Sequence, residues 1–346
     1  MAGGSGERFW PRSRRARPKP LLRVLGRETL LAATLARARR FAAAGQVWIV
    51  CTAENAAALR AASGLPPSRI LIEPRGRDTA AAVAFAAASV ARRDPDAVLA
   101  VLPADHVIPD ARAFATALDR AARAAHEAGA LVTLGVKPTA PETGYGYIEV
   151  GAPVGRAHPG LRRVARFREK PPLAAARRFA KSGRHLWNAG IFVWRADAIL
   201  AEVERCAPDL ARAFAAWRAR PTRAALERAY RRAPKRPIDV AVLERSDRVW
   251  TLPVRFRWND VGNWASLAAE LGVRPDRSVA IGGDALCIEA GGNLVWPAER
   301  TVVLLGVAGL AVIDAGDALL VAGLDRCGAL RRVVAELRQR GRRDLL

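Results

Sequence analysis

Lysine is scarce in this chain. Only Lys19, Lys137, Lys170, Lys181 and Lys235 occur, although Lys and Arg together number 56 against 33 acidic residues and leave a net charge of +23. So basic a balance would ordinarily raise nucleic acid as a partner. The Arg residues, however, are dispersed along helix-like segments and not gathered into an aromatic-studded stripe. A solvated basic surface that favours small anions is therefore the better reading, with no nucleic-acid partner. Cysteine is scarce too: Cys51, Cys206, Cys287 and Cys327 show no C-x-x-C spacing and no His at zinc-ligand intervals, and they read as small buried residues in a reducing compartment. Long apolar runs are lacking, since the longest, Thr301 to Ile313, is short and broken by glycines. With no opening signal peptide, the expectation is a cytoplasmic protein with no membrane partner.

The common phosphate fingerprints are missing as well, because the N-terminal glycines fit neither G-x-x-x-x-G-K-[ST] nor G-x-G-x-x-G. What stands there is Gly3-Gly4-Ser5-Gly6-Glu7-Arg8-Phe9-Trp10-Pro11, followed by Arg17-Pro18-Lys19-Pro20. Glycines so closely spaced let successive backbone N–H groups converge on an anion such as a triphosphate. Arg8 and Lys19 add positive charge beside that loop, and Pro18 and Pro20 hold Lys19 on an extended segment. Taken alone, the stretch is as readily a flexible Gly-rich terminus. The combination of Gly3-Gly4-Ser5-Gly6-x-Arg8 with Trp10-Pro11 and Pro18-Lys19 resembles the signature of sugar-1-phosphate nucleotidyltransferases, in their mannose-1-phosphate guanylyltransferase branch.

From Glu28 onward, helix-like and strand-like stretches alternate. A helix over Glu28 to Ala44 is followed by a strand at Val47 to Cys51, a helix at Glu54 to Ala62, a strand at Ile70 to Ile72, a helix at Thr79 to Arg92 and a strand at Ala97 to Leu102. This rhythm predicts an α/β fold with a doubly wound, mixed but mostly parallel sheet, Rossmann-like, with ligands beyond the carboxyl ends of the strands. The family's glycine loop follows a buried first strand, and here Met1 stands two residues before Gly3, so the first strand is expected to be missing at the N-terminus. From about Val279, short apolar runs separated by Gly and Asp predict a small all-β, β-helix-like domain, and Arg331 to Arg340 a basic helix. The expected division is 1–272, 273–330 and 331–346.

Three motifs carry candidate chemistry. Pro103-Ala104-Asp105-His106 sets a carboxylate just past a strand, where Mg²⁺ could take it together with phosphate oxygens and water, although a turn or cap residue fits equally well. Trp258-Asn259-Asp260-Val261-Gly262-Asn263-Trp264 offers a second carboxylate within what also reads as Asn/Asp-Gly turn chemistry. Phe167-Arg168-Glu169-Lys170-Pro171 reads by itself as an exposed ion pair of little energetic weight.

The family resemblance assigns these residues roles. It implies Asp105 and Asp260 as ligands of Mg²⁺, with His106 structural. Lys170 would meet the sugar phosphate and Glu169 a sugar hydroxyl, and Asn188, in Trp187-Asn188-Ala189-Gly190, would hydrogen-bond the sugar, with Gly144 and Tyr145 completing that pocket. Gly3, Gly4, Ser5, Gly6, Glu73, Gly76 and Thr79 would hold the nucleotide, with Arg8 and Lys19 catalytic. The implied reaction is Mg²⁺-dependent, in-line attack of mannose 1-phosphate on the α-phosphate of GTP, giving GDP-mannose and pyrophosphate, and the resemblance admits a homodimer. Asp78 stands where the family usually has Asn, Ala81 where it has Pro and Pro20 where it often has Gln. These departures leave open heptose 1-phosphate with GTP, glucose 1-phosphate with dTTP, or an inactive nucleotide-sugar-binding relative.

Overall fold

A computed structural model describes residues 1–4 and 6–346; Ser5 lies outside the described residues. Capped Ala-rich stretches become helices and short apolar runs become strands. Helix α1 (Leu30–Ala38) starts at Thr29, whose hydroxyl accepts from the Ala32 N–H at 3.1 Å. It stops short of the expected Ala44 because the Arg40 and Phe41 N–H groups bond to carbonyls three residues back, a tightening that turns the chain toward the sheet. There follow β1 (Ile49–Thr52), α2 (Ala53–Ser63), β2 (Ile70–Glu73), α3 (Asp78–Ala91), β3 (Val98–Val101), α4 (Ala111–Ala128) and β4 (Leu131–Val136). A hairpin of β5 (Tyr147–Pro153) and β6 (Arg162–Arg168) leads through α5 (Leu173–Lys181) to β7 (His185–Arg195). Then come α6 (Ala196–Cys206), α7 (Pro208–Ala219), α8 (Arg223–Arg232), a π-helical turn at Asp239–Leu243, β8 (Val249–Val254) and α9 (Trp264–Glu270).

The main sheet has six strands in the order β3-β7-β4-β8-β6-β5. β3, β4, β5 and β8 share one direction, and β6 and β7 oppose them. Most strands therefore agree in direction, yet among the described residues the only parallel neighbours in this sheet are β4 and β8. The reason is local: β6 returns by hairpin from β5, and β7 threads between β3 and β4. The sheet is mixed, with more antiparallel neighbours than the strand–helix alternation suggests. Helices cover both faces. Val83, Phe85, Trp194, Trp217 and Tyr230 belong to the core on the side of α3 and α6 to α8. Phe114 and Leu118 of α4 pack with Leu134 and Trp250 on the other side.

Among the described residues no strand precedes β1, and β1 pairs with β2 in a separate two-stranded parallel sheet. Met1 and Ala2 lie between that pair and β3. The Ala2 N–H donates to the Val50 carbonyl at 2.7 Å, and the Met1 carbonyl accepts from the Ala104 N–H at 3.0 Å. Two residues thus make hydrogen bonds to both sides, as an interior strand would, but are too few to form one.

The C-terminal strands are β9 (Val279–Ala280), β10 (Ala285–Ile288), β11 (Leu294–Trp296), β12 (Val302–Leu305), β13 (Leu310–Asp314) and β14 (Leu319–Gly323), followed by α10 (Leu330–Gln339). β9, β11 and β13 form one parallel ladder and β10 and β12 another, which is the stacking of successive coils, and β14 closes antiparallel on β13. Asn293, fully buried, stitches the coils: its amide nitrogen donates to the carbonyls of Ala290 at 3.0 Å and Val307 at 2.9 Å, and its oxygen accepts from the Leu310 N–H at 2.9 Å. No helix among the described residues is long and apolar enough to cross a membrane.

Candidate active site

The glycine loop, the carboxyl ends of β1 and β2 and the segment after β3 converge on a cavity of about 310 Å³. Gly3, Gly4, Gly6, Lys19, Glu73, Gly76, Thr79 and Asp105 all line it. Gly6 turns at φ +62°, and a Cβ there would fall 2.3 Å from the Ser13 hydroxyl and 3.0 Å from the Lys19 Cβ. A side chain at this position would therefore push the loop off Lys19.

Lys19 opens a 3-10 turn behind Pro18, and its side chain is nearly buried. Its Nζ donates to Asp105 Oδ2 at 2.7 Å and to the Asp260 carbonyl at 2.9 Å, and lies 5.3 Å from the centre of the Phe9 ring. One ammonium thus joins the two carboxylate-bearing segments, which are far apart in sequence. Burial alone would raise the Asp105 carboxyl, but Lys19 and its neighbours reverse that and hold it below its ordinary range. Asp260 Oδ1 accepts from the Tyr145 hydroxyl at 2.8 Å. Burial, reinforced by Asp260, raises the Tyr145 phenol, so it stays a donor. Gly262 leaves room beside this carboxylate, since a Cβ would meet Asp260 Oδ2 at 3.1 Å. His106 Nδ1 accepts from the Trp258 indole at 3.1 Å, and burial pushes the ring down to about 4; it is a neutral structural group.

Glu73 is only 4% exposed, and its Oε1 has no hydrogen-bond partner among the described residues. Burial raises its carboxyl to about 7, against the opposing pull of Tyr230. Between the ordinary value of 4.5 and about 7, the folded chain holds a proton that the unfolded chain has released, so this group makes stability fall as pH rises through that window. Glu73→Gln is expected to remove that slope. Urea unfolding midpoints measured across the window should show wild type losing stability relative to the variant, and parallel curves would contradict the assignment. Thr79, by contrast, uses its hydroxyl to accept from the Ile238 N–H at 2.8 Å, a structural tie at the cavity wall.

The residues expected on the sugar side lie outside this cavity lining. Glu169 and Lys170 form an ion pair, with Glu169 largely buried and Lys170 exposed. Gly144 is exposed, with nothing near it. Asn188 differs from expectation. A β-bulge between Thr133 and Gly135 of β4 lies opposite it, and its Oδ1 accepts from the Thr133 hydroxyl at 2.8 Å and the Gly190 N–H at 3.2 Å. Its Nδ2 donates to Asp239 Oδ1 at 2.8 Å. The amide is thus largely engaged within the protein, and its partner is Asp239, a buried carboxylate that the sequence motifs did not single out. Burial, then the charge of Glu169, raises the Asp239 carboxyl. A carboxylate inside the apolar run Ile238-Asp239-Val240-Ala241-Val242-Leu243 was the signal available. The same π-helical turn leads to Glu244, which accepts from the Glu169 N–H at 2.9 Å, so this turn holds the segments of both Asn188 and Glu169.

Arg8 also stands outside the lining; it is half-buried, and burial followed by the nearby charge of Arg331 lowers its pKa while Asp260 opposes the shift. Asp78, Lys170 and Val261, each beside an expected site residue, adopt positive φ without being glycine. Backbone strain of this kind gathers at functional sites.

Residues 1–271 match the family model described as nucleotidyl transferase, and residues 283–337 the model described as MannoseP isomerase/GMP-like beta-helix domain. A xanthan biosynthesis protein of Xanthomonas campestris pv. campestris (strain B100) is 38% identical over 99% of this chain and 73% of its own length. A mannose-1-phosphate guanylyltransferase of Escherichia coli (strain K12) is 35% identical over 99% of this chain and 74% of its own length. Among solved structures, one described as mannose-1-phosphate geranyltransferase from Thermus thermophilus superposes with a TM-score of 0.88 at 37% identity, covering 98% of both chains.

Proposed function

The chain belongs to the nucleotidyl transferase family, and from that premise we propose that it joins GTP to mannose 1-phosphate, giving GDP-mannose and pyrophosphate. The family acts on nucleoside triphosphates and sugar 1-phosphates and typically uses a divalent metal. The observation that carries the reading is Lys19, whose ammonium spans Asp105 and the Asp260 backbone at the mouth of a glycine-lined cavity. Such a site neutralises phosphate charge and holds two polyanions in register, and the transfer needs no nucleophile from the protein.

In the proposed reaction an oxygen of the sugar phosphate forms a bond to the α-phosphorus as the bond to the pyrophosphate oxygen breaks. Lys19, Arg8 and the loop amides stabilise the charge on the phosphates. Glu73, on the cavity wall, faces the base: guanine presents N1–H and a 2-amino group as adjacent donors, which the Glu73 carboxylate accepts once ionised. Lys170 takes the sugar phosphate, while Glu169 and Asp239 line the sugar side. Tyr145 directs its hydroxyl to one oxygen of Asp260, and Lys19 its ammonium to one oxygen of Asp105, leaving the other oxygen of each as a hard donor. Two such donors suit Mg²⁺, which completes its shell with phosphate oxygens and water and, when bound, neutralises phosphate charge. Mg²⁺ as the ion, the cytoplasm as the setting and a homodimer as the assembly are part of the same proposal.

Pyrophosphate release measured over a matrix of GTP, ITP, ATP, UTP and dTTP against the 1-phosphates of mannose, glucose and a heptose tests it. GTP with mannose 1-phosphate is expected to be fastest, with ITP penalised for its missing 2-amino group. A preference for dTTP with glucose 1-phosphate would replace the reading, and no turnover with any pair would reduce the chain to a binding protein.

A further inference from the structure

The turn that carries Arg8 rests on the far end of the chain. Phe9, fully buried, sits 4.6 Å from the Trp264 ring, which in turn meets Trp296 edge-on at 5.8 Å. The Trp264 indole donates to the Trp10 carbonyl at 3.0 Å, and the Trp10 indole donates to the Leu345 carbonyl at 2.9 Å. Arg12 donates to the Pro297 carbonyl at 2.6 Å and lies 4.7 Å over the Trp296 ring. Arg14 grips both carboxylate oxygens of Asp317 at 2.9 and 3.2 Å, and Arg338 of α10 pairs with Glu7 at 3.3 Å. Phe9 and Trp10 share a core with Leu294, Ile313, Leu330 and Val334, all of the C-terminal part. The contact is continuous with the site, because the Phe9 ring that packs on Trp264 also lies beneath the Lys19 ammonium.

We propose that the C-terminal β-domain and α10 act as a positioning element for the phosphate loop, holding residues Glu7 to Arg14 so that Arg8 is set at the nucleotide's phosphates. A glycine-rich loop has little stiffness of its own, and binding that first had to order it would lose affinity. Aromatic packing, an Arg over an indole and a bidentate Arg–carboxylate pair supply the stiffness from residues some 300 positions away. Arg12, Arg14 and Asp317 touch no substrate; they act through Arg8. The proposal rests on the nucleotidyl-transfer reading only in placing Arg8 on the triphosphate.

The test is steady-state kinetics on the full chain carrying Arg12→Leu, Arg14→Asp, Asp317→Arg and the exchanged pair Arg14→Asp/Asp317→Arg. Each single change is expected to raise KM for GTP about tenfold while KM for mannose 1-phosphate stays within about twofold, and the exchanged pair should recover most of the loss. Asp317 is 56% exposed, so its replacement reports on the contact without threatening the fold. Unchanged GTP kinetics in all the single variants, or equal loss for both substrates with no recovery in the pair, would overturn the proposal. Should wild type turn over a different nucleotide and sugar phosphate, the substrate reading fails by itself and the same comparison on that pair still decides this one.

Discussion

Lys19→Ala is expected to lower turnover by about a hundred- to a thousandfold, the scale of losing one donor aimed at charge that develops in the transition state. The effect is large because this ammonium has three simultaneous contacts: the Asp105 carboxylate, the Asp260 carbonyl and the face of Phe9. Removing it leaves the Asp105 carboxylate without its ion-pair partner, so part of the loss reflects the wall of the site and not only the phosphates. Lys19→Arg should not restore activity, since the nearly buried side chain fixes a compact ammonium between Asp105 Oδ2 and the Asp260 carbonyl, and a bulkier planar guanidinium does not reproduce that point contact. Initial rates with saturating substrates, together with a melting temperature for each variant, check this. Near wild-type turnover in a folded Lys19→Ala protein would remove Lys19 from the mechanism.

Asp260→Asn is the second change with a large expected effect, a loss of about a hundredfold or more in turnover with a raised requirement for Mg²⁺. The substitution is nearly isosteric, and the amide oxygen can still accept from the Tyr145 hydroxyl, so folding should survive. What is lost is the negative charge that a hard cation needs. Metal titrations of wild type and variant, with chelator as the zero point, read this directly. Identical metal curves, or full activity in chelator, would show that no cation is held there. Asp105→Asn should behave similarly but with a larger fall in stability, because it also breaks the ion pair to Lys19.

Element type was legible where pattern and capping agree. The helices of Ala53–Ser63 and Asp78–Ala91 and the strand of Ile70–Glu73 fall within a residue of where the sequence places them. Strand direction was not legible, because apolar runs are alike whichever way they thread; the placement of β7 between β3 and β4 and the hairpin return of β6 made the neighbours antiparallel. Asn188 and Asp239 show the limit most clearly. A W-N-A-G segment points to Asn188 by its resemblance, but whether an amide faces a ligand or a neighbour depends on what packs around it, here Thr133 and a π-helical turn 51 positions away. Met1 and Ala2, likewise, have no strand-like pattern, and only the surrounding carbonyl and N–H groups make them bridge two sheets.

The sequence by itself determined the chemistry on offer: a glycine loop, two cations and two carboxylates, whose residue types are plain in the sequence and whose roles rest on the family resemblance. The tertiary structure alone decided which of these groups meet, through Lys19 spanning Asp105 and Asp260, and what props the loop, through Trp10, Trp264 and Trp296. The physical reason is range. Turn propensity and capping act over a few residues and are written locally, whereas ion pairs, buried carboxylates and aromatic stacks join positions hundreds of residues apart and exist only once the chain has packed.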